Sequence, residues 1–230
     1  MKHAGADRLW PFAEGGESNL AVATAVWAGA LIISRRWSNP LFRLLGFVLT
    51  IIYLLILYFF RDPNRPTIEQ PGMVVGPGDG EVVNIVREHE SEFLNQESVR
   101  ISIFLSVLDV HVQRIPIGGK VLRVQHHPGQ FLQAYRPEAS QVNEYIATIL
   151  ETPYGLVLVK QIAGIMARRC VNYLHPGETV YTGERLGLIR FGSRVDLFLP
   201  ADARLLISIG DKVIGGITPL ARLKEKEQPA

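Results

Sequence analysis

The run from Leu41 to Phe60, Leu-Phe-Arg-Leu-Leu-Gly-Phe-Val-Leu-Thr-Ile-Ile-Tyr-Leu-Leu-Ile-Leu-Tyr-Phe-Phe, constrains this chain more than any other segment. Beyond Arg43 it has almost nothing polar, so a helix built from it has no face to turn toward water. About twenty helical residues cover roughly 30 Å, the thickness of a bilayer's hydrocarbon core. An earlier apolar stretch, Leu20 to Ile33, covers only about 21 Å and fits a tilted, re-entrant or interfacial placement. Asp7, Glu14 and Glu17 precede this late-starting apolar region, and no small-residue cleavage site is evident, which argues against a removable leader. The expectation is a membrane-associated helical hairpin within residues 1–62, with a buried hairpin of a soluble protein as the alternative.

Charge does not orient that hairpin. Arg35, Arg36 and Arg43 lie between the two stretches, Lys2 and Arg8 before them, and Arg61 and Arg65 after them. The positive-inside rule therefore gives no clean direction. A shallow monotopic hairpin keeps all these charges near one headgroup layer, with a single span as the other arrangement. Arg61 and Arg65 read either as solvated flanking charges or as attractants for anionic headgroups. With 24 Lys and Arg against 22 Asp and Glu, the net charge of +2 leaves no basic footprint for nucleic acid. Cys170 is the single cysteine, which excludes an intramolecular disulfide and suits a reducing, cytoplasm-facing domain.

From Pro63 onward prolines and glycines crowd together: Pro63, Pro66, Pro71 and Pro77 with Gly72, Gly76, Gly78 and Gly80. They mark a linker and turns, so a second domain is expected over residues 63–230. Short runs rich in valine, isoleucine and leucine then alternate with glycine turns. They are Glu81 to Val86, Val99 to Leu105, Lys120 to Val124, Leu156 to Ile162, Thr179 to Tyr181, Arg194 to Leu199 and Arg204 to Ile207. The segment from Pro176 to Gly187 has a near echo in Ile209 to Thr218, and both resemble hairpins of biotinyl-like and lipoyl-like domains. The expected fold is mainly β within an α+β chain: a barrel-sandwich-like domain preceded by the apolar hairpin.

Three places carry candidate chemistry. The six histidines show no HExxH or His-x-His spacing, and no metal set is expected among them. His111 stands apart, at the corner after the apolar run Val99 to Leu105 and before the turn-forming stretch Arg114-Ile-Pro-Ile-Gly-Gly119. Such a place holds an imidazole firmly, for structure or for proton transfer. Asp79, in Gly76-Pro-Gly-Asp-Gly80, reads as a hairpin turn or as a carboxylate that orients an imidazole. Gly192-Ser193 is an ordinary turn pair with a second capacity. The serine hydroxyl can attack the preceding carbonyl, which glycine leaves unshielded, converting amide to ester. β-Elimination then leaves dehydroalanine at position 193, and hydrolysis of its enamine leaves a pyruvoyl ketone.

Taken in order, Phe60-Arg-Asp-Pro-Asn-Arg65, Pro77-Gly-Asp-Gly80, Asp109-Val-His-Val-Gln-Arg-Ile-Pro-Ile-Gly-Gly-Lys-Val121 and Phe191-Gly-Ser-Arg-Val-Asp-Leu-Phe-Leu-Pro200 resemble the phosphatidylserine decarboxylase proenzymes. The likeness is greatest to their short, archaetidylserine-decarboxylase-related branch and covers about Phe60 to Leu220. It implies a membrane-bound precursor, at the cell membrane with its catalytic domain on the cytoplasmic side. The precursor cuts itself between Gly192 and Ser193 into a β chain of residues 1–192 and an α chain of residues 193–230. These remain a heterodimer, open to further association. Ser193 becomes a covalent pyruvoyl cofactor that forms a Schiff base with the amine of phosphatidylserine, and carbon dioxide leaves to give phosphatidylethanolamine. Asp79 and His111 match acid and imidazole positions tied to processing and proton transfer. Arg114 stands where many longer members carry a second histidine, so either His111 serves both self-cleavage and decarboxylation or another base assists cleavage, and Arg114 is a candidate for steering the anionic headgroup. A non-catalytic membrane-anchored adaptor is the alternative from another class.

Overall fold

The computed structural model describes residues 10–37, 39–67, 70–133, 139–164, 169–190 and 193–225. They separate into two compact units, one ending at Pro63 and the other beginning at Asn64.

The first unit is a helical hairpin of α1 (Glu17–Arg36) and α2 (Pro40–Phe59). Helix α1 runs past the apolar stretch at both ends, because its polar flanks suit a helix. Glu17 lies in the first turn, and Arg35 and Arg36 in the last, each complementing the helix dipole. Helix α2 opens on Pro40 behind Asn39, whose side chain accepts a hydrogen bond from Leu41 N at 2.8 Å. The helices are keyed together by polar contacts. Trp27 Nε1 donates to Thr50 Oγ1 at 3.1 Å, and the Trp27 ring stacks on Tyr53 at 4.7 Å. Both helices, at 20 residues each, are long and apolar enough to cross a membrane. Val22, Val26, Ile32, Leu44, Phe47 and Leu54 are exposed, an apolar surface uncommon on soluble monomers.

The second unit is mostly β. In chain order its strands are β1 (Met73–Val75), β2 (Gly80–Glu90), β3 (Gln96–Leu105), β4 (Val112–Arg114) and β5 (Gly119–His127). After a short helix α3 (Ala139–Val142) come β6 (Tyr145–Thr152), β7 (Gly155–Ala163), β8 (Cys170–Asn172), β9 (Thr179–Val180) and β10 (Arg185–Ile189). The chain continues through β11 (Ser193–Pro200), β12 (Arg204–Leu205), β13 (Lys212–Val213) and β14 (Pro219–Arg222). Eight of them form an antiparallel sheet in the order β13, β2, β3, β11, β7, β6, β5, β9, curled into a half-barrel. Two three-stranded sheets accompany it, β1 with β14 and β12, and β4 with β10 and β8.

Period-two alternation explains the core. Val99, Ile101, Ile103 and Leu105 of β3, Val195, Leu197 and Leu199 of β11, and Val157 and Val159 of β7 pack into one cluster. Cross-strand register aligns them, with Leu197 opposite both Ile101 and Val159. The intervening residues Leu158, Ile162 and Phe198 join a second cluster on the other face. Burial of each such side chain contributes about 1.5–3 kcal/mol.

The echo between Pro176–Gly187 and Ile209–Thr218 is structural. Gly177 and Gly183 have φ of 94° and 81°, and Gly210 and Gly216, at the matching places, have 93° and 76°. Gly177 N donates to Val121 O at 2.7 Å, and Gly210 N to Val82 O at 2.8 Å. Between the halves, Val75 N donates to Pro116 O and Arg114 N to Pro77 O, both at 2.8 Å. The sheet order likewise reads as two matched halves, β13-β2-β3-β11 and β9-β5-β6-β7.

Candidate functional site

Ser193 is the first residue of β11, and its Cα is paired with Leu105 at the end of β3 and with Ala163 at the end of β7. Both neighbours are secured. Ala163 N donates to Glu144 O at 2.9 Å, and Ala163 O accepts from Asn143 Nδ2 at 2.7 Å. Asn143 also clamps Leu132, donating to its carbonyl and accepting from its amide, each at 2.8 Å. Directly after position 193, Arg194 and Asp196 form a buried ion pair at 2.6 Å, and Arg194 donates to Ser102 Oγ at 2.8 Å. Gly192, the other half of the expected junction, lies outside the described residues.

Asp79 reaches this strand end through its turn. Gly80 has φ 152°, and a Cβ there would lie 2.1 Å from Phe104 O, so the turn hugs the end of β3 as only glycine allows. A Cβ at Gly78 would touch Leu105 and Val195 at 3.6–3.8 Å. The Asp79 carboxylate is held from three directions. Arg65 Nη1 and Nη2 donate to its two oxygens at 2.5 and 2.8 Å, and Gly215 N donates to Oδ1 at 2.8 Å. Arg65 also donates to Gly215 O at 2.7 Å. Arg65, which as a sequence reads as a flanking or headgroup-attracting charge, is instead a buried partner with 8% side-chain exposure. In the matching half of the fold, Gly118 stands where Asp79 does, and the turns are joined by Gly118 N donating to Thr182 Oγ1 at 2.9 Å. The pair of Asp79 and Arg65 is thus a point where the halves differ.

His111 is fully buried just before β4. Its Nδ1 lies 2.9 Å from Asp109 O. A carbonyl only accepts, so Nδ1 carries the proton and Nε2 is the basic nitrogen of the neutral ring. Asp109 closes the turn after β3 by accepting from Ser106 N at 2.8 Å and Ser106 Oγ at 2.7 Å. The His111 carbonyl accepts from Ile189 N at 3.2 Å and from Gln113 Nε2 at 2.6 Å. Gln161 Nε2 donates to Gln113 Oε1 at 2.9 Å, and Asn172 Nδ2 bridges Gln161 Oε1 and Thr148 Oγ1 at 3.1 and 2.9 Å. His111 is therefore tied to the strand leaving Leu105 and to β10, which ends at Ile189 shortly before position 193.

Arg114 has 3% exposure, and its Nη1 donates to Gly183 O at 3.3 Å. A Cβ at Gly216 would lie 3.5 Å from its Cγ, so it packs beside the turn that carries Asp79's partner Gly215. Cys170 offers no second nucleophile: burial, reinforced by the Glu144 charge, holds its thiol far above the ordinary range. Asp109, Gln113, Gln161 and the pairing role of Arg65 escaped the sequence reasoning. A polar Gln161 within the apolar run Leu156-Val-Leu-Val-Lys-Gln-Ile-Ala163 was the available signal for a buried network.

The sequence profile of the family described as phosphatidylserine decarboxylase matches residues 52–221. The chain is 44% identical over 187 residues to a phosphatidylserine decarboxylase proenzyme of Parabacteroides distasonis, covering 80% of this chain and 85% of that protein. To the proenzyme of the same name from Magnetococcus marinus it is 42% identical over 205 residues, covering 88% and 93%.

Proposed function

The chain belongs to the phosphatidylserine decarboxylase family and is a carboxy-lyase of that kind, and from this premise we propose that it matures by cutting itself between Gly192 and Ser193. Family membership sets aside the non-catalytic adaptor. The observation that supports self-processing most is the convergence of strand ends. Ser193 heads a strand clamped by Leu105 and Ala163, and the segments bearing Asp79 and His111 adjoin that same end. A reactive carbonyl at position 193 needs a backbone that cannot drift, and central pairing in the sheet supplies it.

In this reading the Ser193 hydroxyl attacks the Gly192 carbonyl, with His111 Nε2 taking the proton because Nδ1 is committed to Asp109 O. Asp79, held by Arg65, fixes its turn against the end of β3 and so orients the site through that turn rather than as a free carboxylate. Arg114 adds a buried positive charge that favours approach of an anionic headgroup. The pyruvoyl ketone derived from Ser193 supplies the sink for electrons released as carbon dioxide leaves phosphatidylserine. The α chain carries β11 between β3 and β7 and β14 beside β1, so backbone pairing keeps the two chains joined after cleavage. The hairpin within residues 1–62 holds the enzyme at the cytoplasmic face of the cell membrane, where its substrate lies.

Ser193→Ala removes the nucleophile and the source of the ketone together. Intact-mass measurement of the purified variant should show one uncut chain, and phosphatidylserine should release no carbon dioxide. A variant that still splits, or still decarboxylates, removes Ser193 from the mechanism.

A further inference from the structure

The helical hairpin carries charges that decarboxylation leaves unused. Between Glu17 and Asp62 the sequence has no acidic residue, yet it has Arg35, Arg36, Arg43 and Arg61. Arg35 and Arg36 suit the carbonyl end of α1. Arg43, near the start of α2, opposes the dipole of its own helix, so helix stability does not account for it.

Packing of the two helices brings the exposed Arg35 and Arg43 to one open surface cavity of about 480 Å³, lined also by Leu31, Ser34, Thr50 and the exposed Phe47. The close approach depends on Gly46, where a Cβ would lie 3.0 Å from the Ser34 side chain. The hydroxyls of the wall are already committed: Ser34 Oγ donates to Leu31 O at 2.9 Å, and Thr50 Oγ1 donates to Gly46 O at 2.8 Å. Donor capacity toward a ligand therefore rests with the two guanidinium groups, which pair with no acidic side chain among the described residues. Two cations beside the apolar Leu31 and Phe47 suit an anion joined to hydrocarbon, in a cavity near the ends of helices of membrane-spanning length.

We infer that this cavity binds the phosphate of an anionic phospholipid, with Leu31 and Phe47 flanking the start of an acyl chain. The site rests on the hairpin lying in a lipid layer and is independent of the chemistry at position 193. Inorganic phosphate shares the anion but not the apolar contact.

Native mass spectrometry of the full chain in detergent, with phosphatidylglycerol, phosphatidylcholine or inorganic phosphate added, tests the site, beside flotation on phosphatidylcholine vesicles with and without phosphatidylglycerol. One retained phosphatidylglycerol is expected, not displaced by phosphate and not matched by phosphatidylcholine. Arg35→Gln and Arg43→Gln should each weaken retention about fivefold, the equivalent of roughly 1 kcal/mol per basic residue at an anionic surface. Arg36→Gln, in the same turn but outside the cavity, should leave retention intact. Equal losses in all three variants would reduce the effect to surface charge and overturn the site, as would displacement by phosphate or retention unchanged in Arg35→Gln and Arg43→Gln. A chain that floats with neither vesicle overturns the lipid placement beneath the proposal, while leaving the Ser193→Ala test untouched.

Discussion

Arg65 grips both carboxylate oxygens of Asp79, at 2.5 and 2.8 Å, and the two side chains are 8% and 14% exposed. A pair this buried is costly to break from one side, because the survivor keeps its charge without its partner. Arg65→Gln is therefore expected to destabilise the domain by about 3–5 kcal/mol and to slow processing at Gly192-Ser193. Arg65→Lys keeps the charge but loses the two-pronged grip, so it should fall between wild type and Arg65→Gln. Urea midpoints and the uncut fraction on denaturing gels report the two effects. Wild-type values for both in Arg65→Gln would mean that the pair neither holds the turn nor serves the site.

Gln113 anchors the His111 carbonyl and receives Gln161, so it is the link between the imidazole's backbone and the buried polar network. Gln113→Leu leaves one Gln161 Nε2 hydrogen without its acceptor and the His111 carbonyl with Ile189 N alone, at about 1–3 kcal/mol. If the network positions His111 for proton transfer, processing should slow at least tenfold and its pH profile should shift. A loss of stability with an unchanged pH profile would mark Gln113 as structural alone.

The alternating segments Val99 to Leu105 and Arg194 to Leu199 were legible because polar residues, Arg100 and Ser102 in one and Arg194 and Asp196 in the other, alternate with the core-facing aliphatics, even though β11 is buried on both faces. Strand β6 was not, since Tyr145, Ile146, Ala147, Ile149 and Leu150 put apolar side chains on both faces, which erases the period. The echoing glycines 177, 183, 210 and 216 pointed to matched hairpins, and their positive φ values explain why glycine recurs at those places. Arg65 lay hidden for another reason. Sitting 14 residues before Asp79 in a proline-broken linker, it has no local pattern that assigns a partner, and only the tertiary turn at Gly215 brings them together.

Cys170 supplies a readout of intactness in the β unit. Its Sγ donates to Gln161 O at 3.4 Å, and burial together with the Glu144 charge disfavours the thiolate. A disulfide-exchange reagent at pH 8 should leave the native protein unmodified for hours and titrate one thiol per chain in denaturant. Rapid stoichiometric labelling of native protein would show that β8 opens readily.

Glu92 predicts the shape of the acid limb of stability. It accepts from Tyr145 Oη at 2.6 Å and Lys160 Nζ at 3.1 Å, and the Lys160 ammonium lies 4.8 Å from the Phe93 and Tyr145 ring centres. Burial pushes the Glu92 carboxyl upward, but the hydrogen bonds from Tyr145 and Lys160, with the charges of Lys160 and His127, outweigh it and hold the group below its ordinary 4.5. A depressed folded-state value stabilises the protein above the unfolded value and loses that contribution as pH falls through the folded one. Because the Glu92 side chain is 45% exposed, solvent screening limits the contribution to about 1 kcal/mol or less. Glu92→Gln should therefore lower the urea midpoint modestly at pH 7, and the difference from wild type should shrink below pH 4.5 as the native carboxylate is protonated. Midpoints at pH 7, 5 and 3 decide the matter. A deficit of the same size at pH 3 would assign the loss to packing around Lys160 rather than to the carboxylate's charge.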